Sequence, residues 1–169
     1  MGMFSFIKEA GEKLFGRKEV EDAAAKAASD ASAQAHLDQL NAGAAQGIAT
    51  YIAAQNIDIE GMVVEFDGAT GTVTLQGTAS SQEDSEKAAL CCGNVGGVSA
   101  VNNLIAVSDS AGESQFHDVV RGDTLGAIAK EYYGNAGKYP IIFEANKPML
   151  SHPDKIYPGQ KLRIPALPD

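Results

Sequence analysis

The sequence predicts an α+β protein in which a helical segment leads into two small modules of mixed helix and strand. Two apolar alternations, Met62-Val64-Phe66 and Val73-Leu75, flank the turn-forming run Asp67-Gly68-Ala69-Thr70-Gly71, the pattern of a hairpin with one buried face. Helical spacing appears on both sides of that hairpin. A small, polar run at 108–115 then separates it from a second unit, residues 116–166, which reads as strand, helix, helix, strand.

In chain order, Met1 to Phe15 scatter Phe4, Phe6, Ile7, Leu14 and Phe15 among Lys8, Glu9, Glu12 and Lys13, and Gly11 is suited to end a short helix. Residues 19–46 are rich in alanine, which favours one or two helices; His36, Leu37 and Leu40 form a weak apolar stripe that Asn41, Gly43 and Gly47 interrupt. Together, residues 1–47 are expected to be an N-terminal helical segment. The first module, 48–107, is expected to run αββαβ. It begins with Ile48, Tyr51 and Ile52 at helical spacing and continues through the hairpin. Its second helix opens at a capping box formed by Ser80 and Glu83 and ends at Gly93, before a last strand from Val98 to Val107.

After a flexible linker at 108–115, the second module, 116–166, is expected to be βααβ. Asp123-Thr124 starts a helix whose apolar face is Leu125, Ile128, Ala129 and Tyr132. Pro140 suits the first turn of the next helix, which Ile142, Phe143 and Asn146 continue, and Pro158-Gly159 turns the chain into Lys161-Leu162-Arg163-Ile164. A core of about 50 residues without disulfides is near the lower limit for independence, so contact with the first module is expected to help.

Composition excludes several functions. A net charge of -9 argues against nucleic acid or an anionic membrane surface as the main partner. No run approaches the roughly 18 apolar residues of a membrane span, the opening residues lack a continuous apolar export core, and Phe6 breaks the acylation pattern that Met1-Gly2 begins. The expectation is a soluble, cytoplasmic monomer. The adjacent cysteines Cys91 and Cys92 are poorly placed to bridge each other and read as small apolar thiols near a helix end. His36, His117 and His152 lie in different segments, with no zinc-protease spacing, nucleophile elbow, phosphate loop or calcium loop, so no enzyme is expected.

One further chemistry is open to the residues. The carbonyls that end a helix have no intrahelical partner and carry partial negative charge, and Gly93-Asn94-Val95-Gly96-Gly97-Val98 follows such an end. Gly11 could likewise free the carbonyls of Ile7, Lys8 and Ala10. Uncharged carbonyls suit a large monovalent cation, whereas magnesium and calcium favour carboxylates. On spacing alone, two ordinary helix stops explain the same residues.

Resemblance adds to this. Residues 116–165, FHDVVRGDTLGAIAKEYYGNAGKYPIIFEANKPMLSHPDKIYPGQKLRIP, resemble a LysM module, and Gln76-Gly77-Thr78 before a helix with Gly93 to Val98 after it resembles a BON domain. The opening MGMFSFIKEAGEKLF, the BON-like middle and the run Ile142-Phe143-Glu144-Ala145-Asn146-Lys147-Pro148-Met149-Leu150 together resemble a family of small bacterial, cytoplasmic potassium-binding proteins. The Ala-rich stretch near 17–47 is longer than that family's pattern. The resemblance implies K+ held by the backbone carbonyls of Ile7, Lys8, Ala10, Gly93, Val95 and Val98, with apolar Ile7, Val95 and Val98 excluding water. It also implies ordering on ion binding and a role in ion sensing or stress. The LysM resemblance implies an alternative, an adaptor for peptidoglycan or N-acetylglucosamine. Its groove would lie between Gly122, Asp123, Thr124 and Leu125 and the loop carrying Asp154, Ile156 and Tyr157, where Ile156 or Tyr157 would meet the acetamido methyl. A weak glycan or protein partner through this module is the accompanying expectation.

Overall fold

A computed structural model describes residues 2–7, 11–27, 31–108 and 114–167. It is an α+β structure of two hydrophobic cores. In the first, a sheet has the order β1-β4-β3-β2, formed by β1 (Gly2–Ser5), β4 (Ala100–Asn103), β3 (Thr72–Ala79) and β2 (Ile59–Asp67), and the short β5 (Ala106–Val107) also pairs with β3. Strands β2 and β3 form the expected antiparallel hairpin, with Val64 opposite Leu75. Phe66, Val73 and Leu75 are buried while Val63 and Glu65 are exposed, so the alternation marks one core face as the sequence indicates.

Helices α1 (Arg17–Ala27), α2 (Ala31–Ala53) and α3 (Gln82–Gly93) complete this module. The Ala-rich helices have a definite seat. Val20 of α1 meets the backbone of Gly68 in the hairpin turn, and Asn41 of α2 accepts a hydrogen bond from Gly68 N at 3.0 Å. A side chain at Gly68 would lie about 2.0 Å from Val20. Ile48 and Ile52 of α2 are fully enclosed in the core.

Four local expectations change. The opening residues form strand β1 rather than beginning in a helix, because β4 offers an edge on which Phe4 pairs with Val101. Helix α2 runs without interruption through Asn41, Gly43 and Gly47, past the boundary expected after residue 47. The cap of α3 is Ser81, whose Oγ accepts from Asp84 N at 3.1 Å, one residue later than Ser80 with Glu83. The last strand is broken between β4 and β5 because buried Asn103 bonds locally. Its Oδ1 accepts from Ile105 N, and its Nδ2 donates to Ser85 Oγ on α3.

The second module contains β6 (Gln115–Asp118), α4 (Leu125–Tyr133), a 3-10 turn at Ala136–Lys138, α5 (Tyr139–Ala145) and β7 (Lys161–Ile164). Thr124 caps α4 by accepting from Ala127 N, Gly134 closes it in the left-handed region, and Pro140 stands in the first turn of α5. Strand β7 pairs with β6 along one edge. Two asparagine amides satisfy its other edge: Asn146 exchanges hydrogen bonds with the backbone of Arg163, and Asn94, from the first module, does the same with Lys161. Of the linker, residues 109–113 lie outside the described residues. Ser108 N donates to Ala79 O, and Ser114 N donates to the carboxylate of Glu86.

The modules meet along α3 and β7. The Arg163 Nε donates to Glu86 Oε2 at 2.6 Å, with both side chains buried. Phe4 packs edge-on to Phe116 with ring centres 5.0 Å apart, Lys161 Nζ lies 5.0 Å over the Phe6 ring, and Met149 packs against the first core.

Candidate functional site

The C-terminus of α3 and the loop to residue 98 are held against the segment that follows β1. Glu12 N donates to Asn94 O at 2.9 Å, Gly96 N donates to Glu12 O at 2.7 Å, and Glu12 forms a parallel bridge with Val95. Gly11 permits this approach. Its φ is +106°, and a Cβ there would fall 1.9 Å from Asn94 O. On the other side, Phe6 N donates to Ser99 O.

Gly93 matters for a reason different from the one expected. It is the last residue of α3 and is not left-handed; the following Asn94 closes the helix with φ of -85°. Its missing side chain makes room for the Phe6 ring, whose Cζ would stand 2.0 Å from an added Cβ. Gly97 does adopt positive φ, +101°, and lets the loop curl.

A count of hydrogen bonds shows what the loop leaves free. Leu90 O and Cys92 O accept from Asn94 N and Val95 N, and Val95 O accepts from Val98 N at 3.1 Å. Among the described residues, no donor reaches the carbonyls of Gly93 or Val98, although both residues are buried, and none reaches that of Ile7. Buried carbonyls are nearly always paired, so those of Gly93 and Val98 stand out as having no partner among the described residues. The last turn of α3 carries no basic residue to offset the partial negative charge there. Neutral, buried oxygens at such a helix end fit a monovalent cation. Among the described residues there is no group of three or more His, Cys, Asp or Glu side chains arranged for a metal.

Of the carbonyl set implied by resemblance, Gly93, Val95 and Val98 therefore share one buried loop, with Val95 and Val98 at 0% exposure. Lys8 and Ala10 lie outside the described residues. Ile7 is 47% exposed, so its side chain does not shield the loop as expected; Phe6, one residue earlier, covers Gly93 instead. Sequence reasoning also missed Asn94 and Glu12, whose roles depend on contacts remote in the chain.

The glycan-candidate residues separate. A groove of about 440 Å³ is lined by Thr124, Leu125, Gly126, Tyr139, Pro153 and Asp154, with exposed His152 at its wall. Asp123 turns to His117, whose Nε2 lies 2.8 Å from its Oδ2, and also accepts from Val120 N; the His117 hydrogen bond leads in holding its carboxyl below the usual range. Gly122 provides a left-handed turn at φ +94° and does not line the groove, and Ile156 packs on the second core. Tyr157 does not line the groove, and its phenol is pushed up to about 12, mainly by burial and then by the Glu12 carboxylate. The methyl contact expected of Ile156 or Tyr157 is therefore not formed by the groove. His36 is exposed on α2.

The buried thiols of Cys91 and Cys92 are free and chemically quiet. Burial raises both, with Glu12 adding to the effect at Cys91 and Cys91 adding to it at Cys92.

Two domain families match the chain. The BON domain model matches residues 42–109 and the LysM domain model matches residues 117–165. The chain is 43% identical over 169 residues to the potassium binding protein Kbp of Escherichia coli O6:H1 (strain CFT073), covering 98% of this chain and 99% of that protein. It is also 35% identical over 106 residues to an uncharacterized protein of Deinococcus radiodurans, covering 56% of this chain and 41% of that protein.

Proposed function

Because the chain belongs to the family of the potassium binding protein Kbp, we propose that it binds K+ itself, through the backbone carbonyls of Ile7, Lys8, Ala10, Gly93, Val95 and Val98. The observation that carries this reading is the buried loop after α3, where Gly93 and Val98 keep carbonyls that accept from no donor among the described residues. A desolvated carbonyl gains from a cation what it lacks from a donor, and uncharged oxygens suit a large monovalent ion better than a divalent one.

The segment that follows β1 and the loop after α3 come from opposite ends of the first module and are joined where Glu12 bridges Val95, which supports drawing ligands from both. An ion shared between them acts as a staple. It orders the segment before Glu12 and steadies the loop that Asn94 ties to β7. In this reading the protein is a cytoplasmic, monomeric, non-catalytic ion sensor or stress protein that becomes ordered on binding K+. No helix among the described residues is long and apolar enough to cross a membrane, and cell fractionation tests the cytoplasmic setting.

Calorimetric titration of potassium-free protein with KCl, against NaCl at matched ionic strength, tests the ion. Saturable heat with KCl alone is expected; two flat traces would refute the reading. Even a site of about 1 mM corresponds to about 4 kcal/mol at the standard state. Amide exchange tests the ordering: residues 3–15 should gain protection with K+, and equal protection in both states would refute the staple.

The groove at Thr124, Leu125 and Asp154 supports a second reading, a weak site for N-acetylglucosamine oligomers. Titration with such an oligomer should shift amide resonances at Gly126 and Asp154 while leaving Tyr157 unmoved. No shift at these groove residues would remove this reading.

A further inference from the structure

The seam between the modules places a fixed positive charge beside the cation loop. Lys161 opens β7, and Asn94, the residue between Gly93 and Val95, holds both its backbone groups. Its side chain lies in the seam and is only 12% exposed. There Nζ stands 5.0 Å from the centre of the Phe6 ring, and the tip of that ring occupies the place a Gly93 side chain would take. One aromatic ring thus separates the ammonium from the Gly93 backbone, a span within about 10 Å, the Debye length at 0.1 M salt.

The other basic groups near the loop differ. Lys13 and Arg17 line a cavity of about 440 Å³ with Gly11, Phe15 and Gly96; Lys13 is exposed, and Arg17 stands 3.8 Å from Glu21. Arg163 is balanced by buried Glu86. Lys161 has a weaker balance. Its partner Asp118, opposite it on β6, is 3.4 Å away and 54% exposed, so water and salt screen the carboxylate more than the ammonium. Positive charge therefore remains at the seam.

We infer that Lys161 is a selectivity residue of the cation loop, a positive charge supplied by the second module that disfavours divalent ions. This inference rests on the potassium reading above. Coulomb repulsion scales with the charge of the incoming ion, so Lys161 opposes a divalent cation twice as strongly as K+. Neutral carbonyls leave a divalent ion uncompensated, and the ammonium widens that disadvantage. K+ itself is also held less tightly, but only modestly, because the charge stands behind Phe6 and not among the ligands.

The test is titration of the full chain, freed of potassium, with KCl and with BaCl2, as wild type, Lys161→Met, Lys161→Arg and Asp118→Asn, with ionic strength matched by choline chloride. Ba2+ probes charge because it is close to K+ in size. Lys161→Met is expected to bind K+ about threefold more tightly and Ba2+ about tenfold more tightly, since the second gain is the square of the first. Lys161→Arg should resemble wild type, and Asp118→Asn should weaken both ions, Ba2+ the more. A residue that only braces the seam would give the reverse, weaker K+ binding in Lys161→Met. That result, unchanged affinity, or equal gains for both ions would overturn the inference, as would Ba2+ that stays unbound in Lys161→Met. Should Lys161→Met melt below wild type, unchanged affinities in Asp118→Asn would overturn it. A wild type that gives no heat with KCl would overturn the parent reading instead, a result distinct from these.

Discussion

Asn94 and Lys161 exchange a reciprocal pair of hydrogen bonds: the Asn94 amide nitrogen donates to Lys161 O at 2.8 Å, and Lys161 N donates to Asn94 Oδ1 at 2.9 Å. One side chain in the loop after α3 thus completes the backbone pairing of a strand in the other module. Truncating it to Ala leaves a partly buried donor and acceptor unmatched, a loss of about 1–3 kcal/mol. Asn94→Ala should therefore lower the thermal midpoint, speed exchange of the Lys161 amide and weaken potassium binding. Unaltered exchange at Lys161 would show that the clasp does not hold the seam.

Gly93→Ala should be destabilising by steric conflict. The new methyl would occupy the Phe6 ring position, and overpacking of this kind costs about 1–3 kcal/mol. Shortening the ring by Phe6→Leu in the same chain should recover part of the loss. Thermal melts of the single and double variants check this, and additive losses would place the strain elsewhere.

The Glu86–Arg163 pair joins α3 to β7 with both side chains buried. Burial acts to raise the Glu86 carboxyl, but hydrogen bonds from Arg163, Ser114 and Gln82 together outweigh it and hold the group below its ordinary 4.5. A depressed folded value means stability that is complete above pH 4.5 and lost as pH falls through the lower folded value. Acid melts should show that loss in wild type and not in Glu86→Gln.

Arg163→Met should cost about 3–5 kcal/mol, because it leaves Glu86 charged and buried, while Glu86→Leu with Arg163→Met should recover most of this. A double variant as unstable as Arg163→Met would show that the pair contributes more than charge compensation.

Cys91 and Cys92 should resist a thiol reagent such as a chromogenic aromatic disulfide in the native protein and react at once in denaturant, since both are fully buried and burial raises both thiols. Fast native labelling would indicate that the end of α3 opens readily.

What could be read from the chain was local. The hairpin was legible because Met62, Val64 and Phe66 alternate over a whole strand, and the start of α4 because Thr124 is both its cap and next to Leu125. Ser80 and Ser81 each precede an acid by three residues, so the cap of α3 was ambiguous by one position. Glycines at 43 and 47 suggested a break in α2, yet Gly43 meets nothing within 4 Å and the helix tolerates both. Strand β1 was not legible because four residues give little alternation and its partner is distant.

The candidate site divides in the same way. Glycines announced the loop at 93–98, but the spacing could not tell that Gly93 yields to Phe6, that Asn94 reaches Lys161, or that Glu12 bridges Val95. Each is a meeting of segments far apart in sequence. The absence of Tyr157 from the lining of the groove was hidden for the same reason.

Pairing of β1 with β4 has a kinetic side. Phe4 must wait for Val101, so almost the whole first module lies between the two segments proposed to hold the ion. Contacts that close so long a stretch of chain are slow to form. The hairpin and helices can assemble from neighbours, whereas the loop around Val95 is finished only when the beginning of the chain returns to it. On the potassium reading, competence to hold an ion is then a property of the completed module, and a partly folded chain should not compete for potassium with finished molecules.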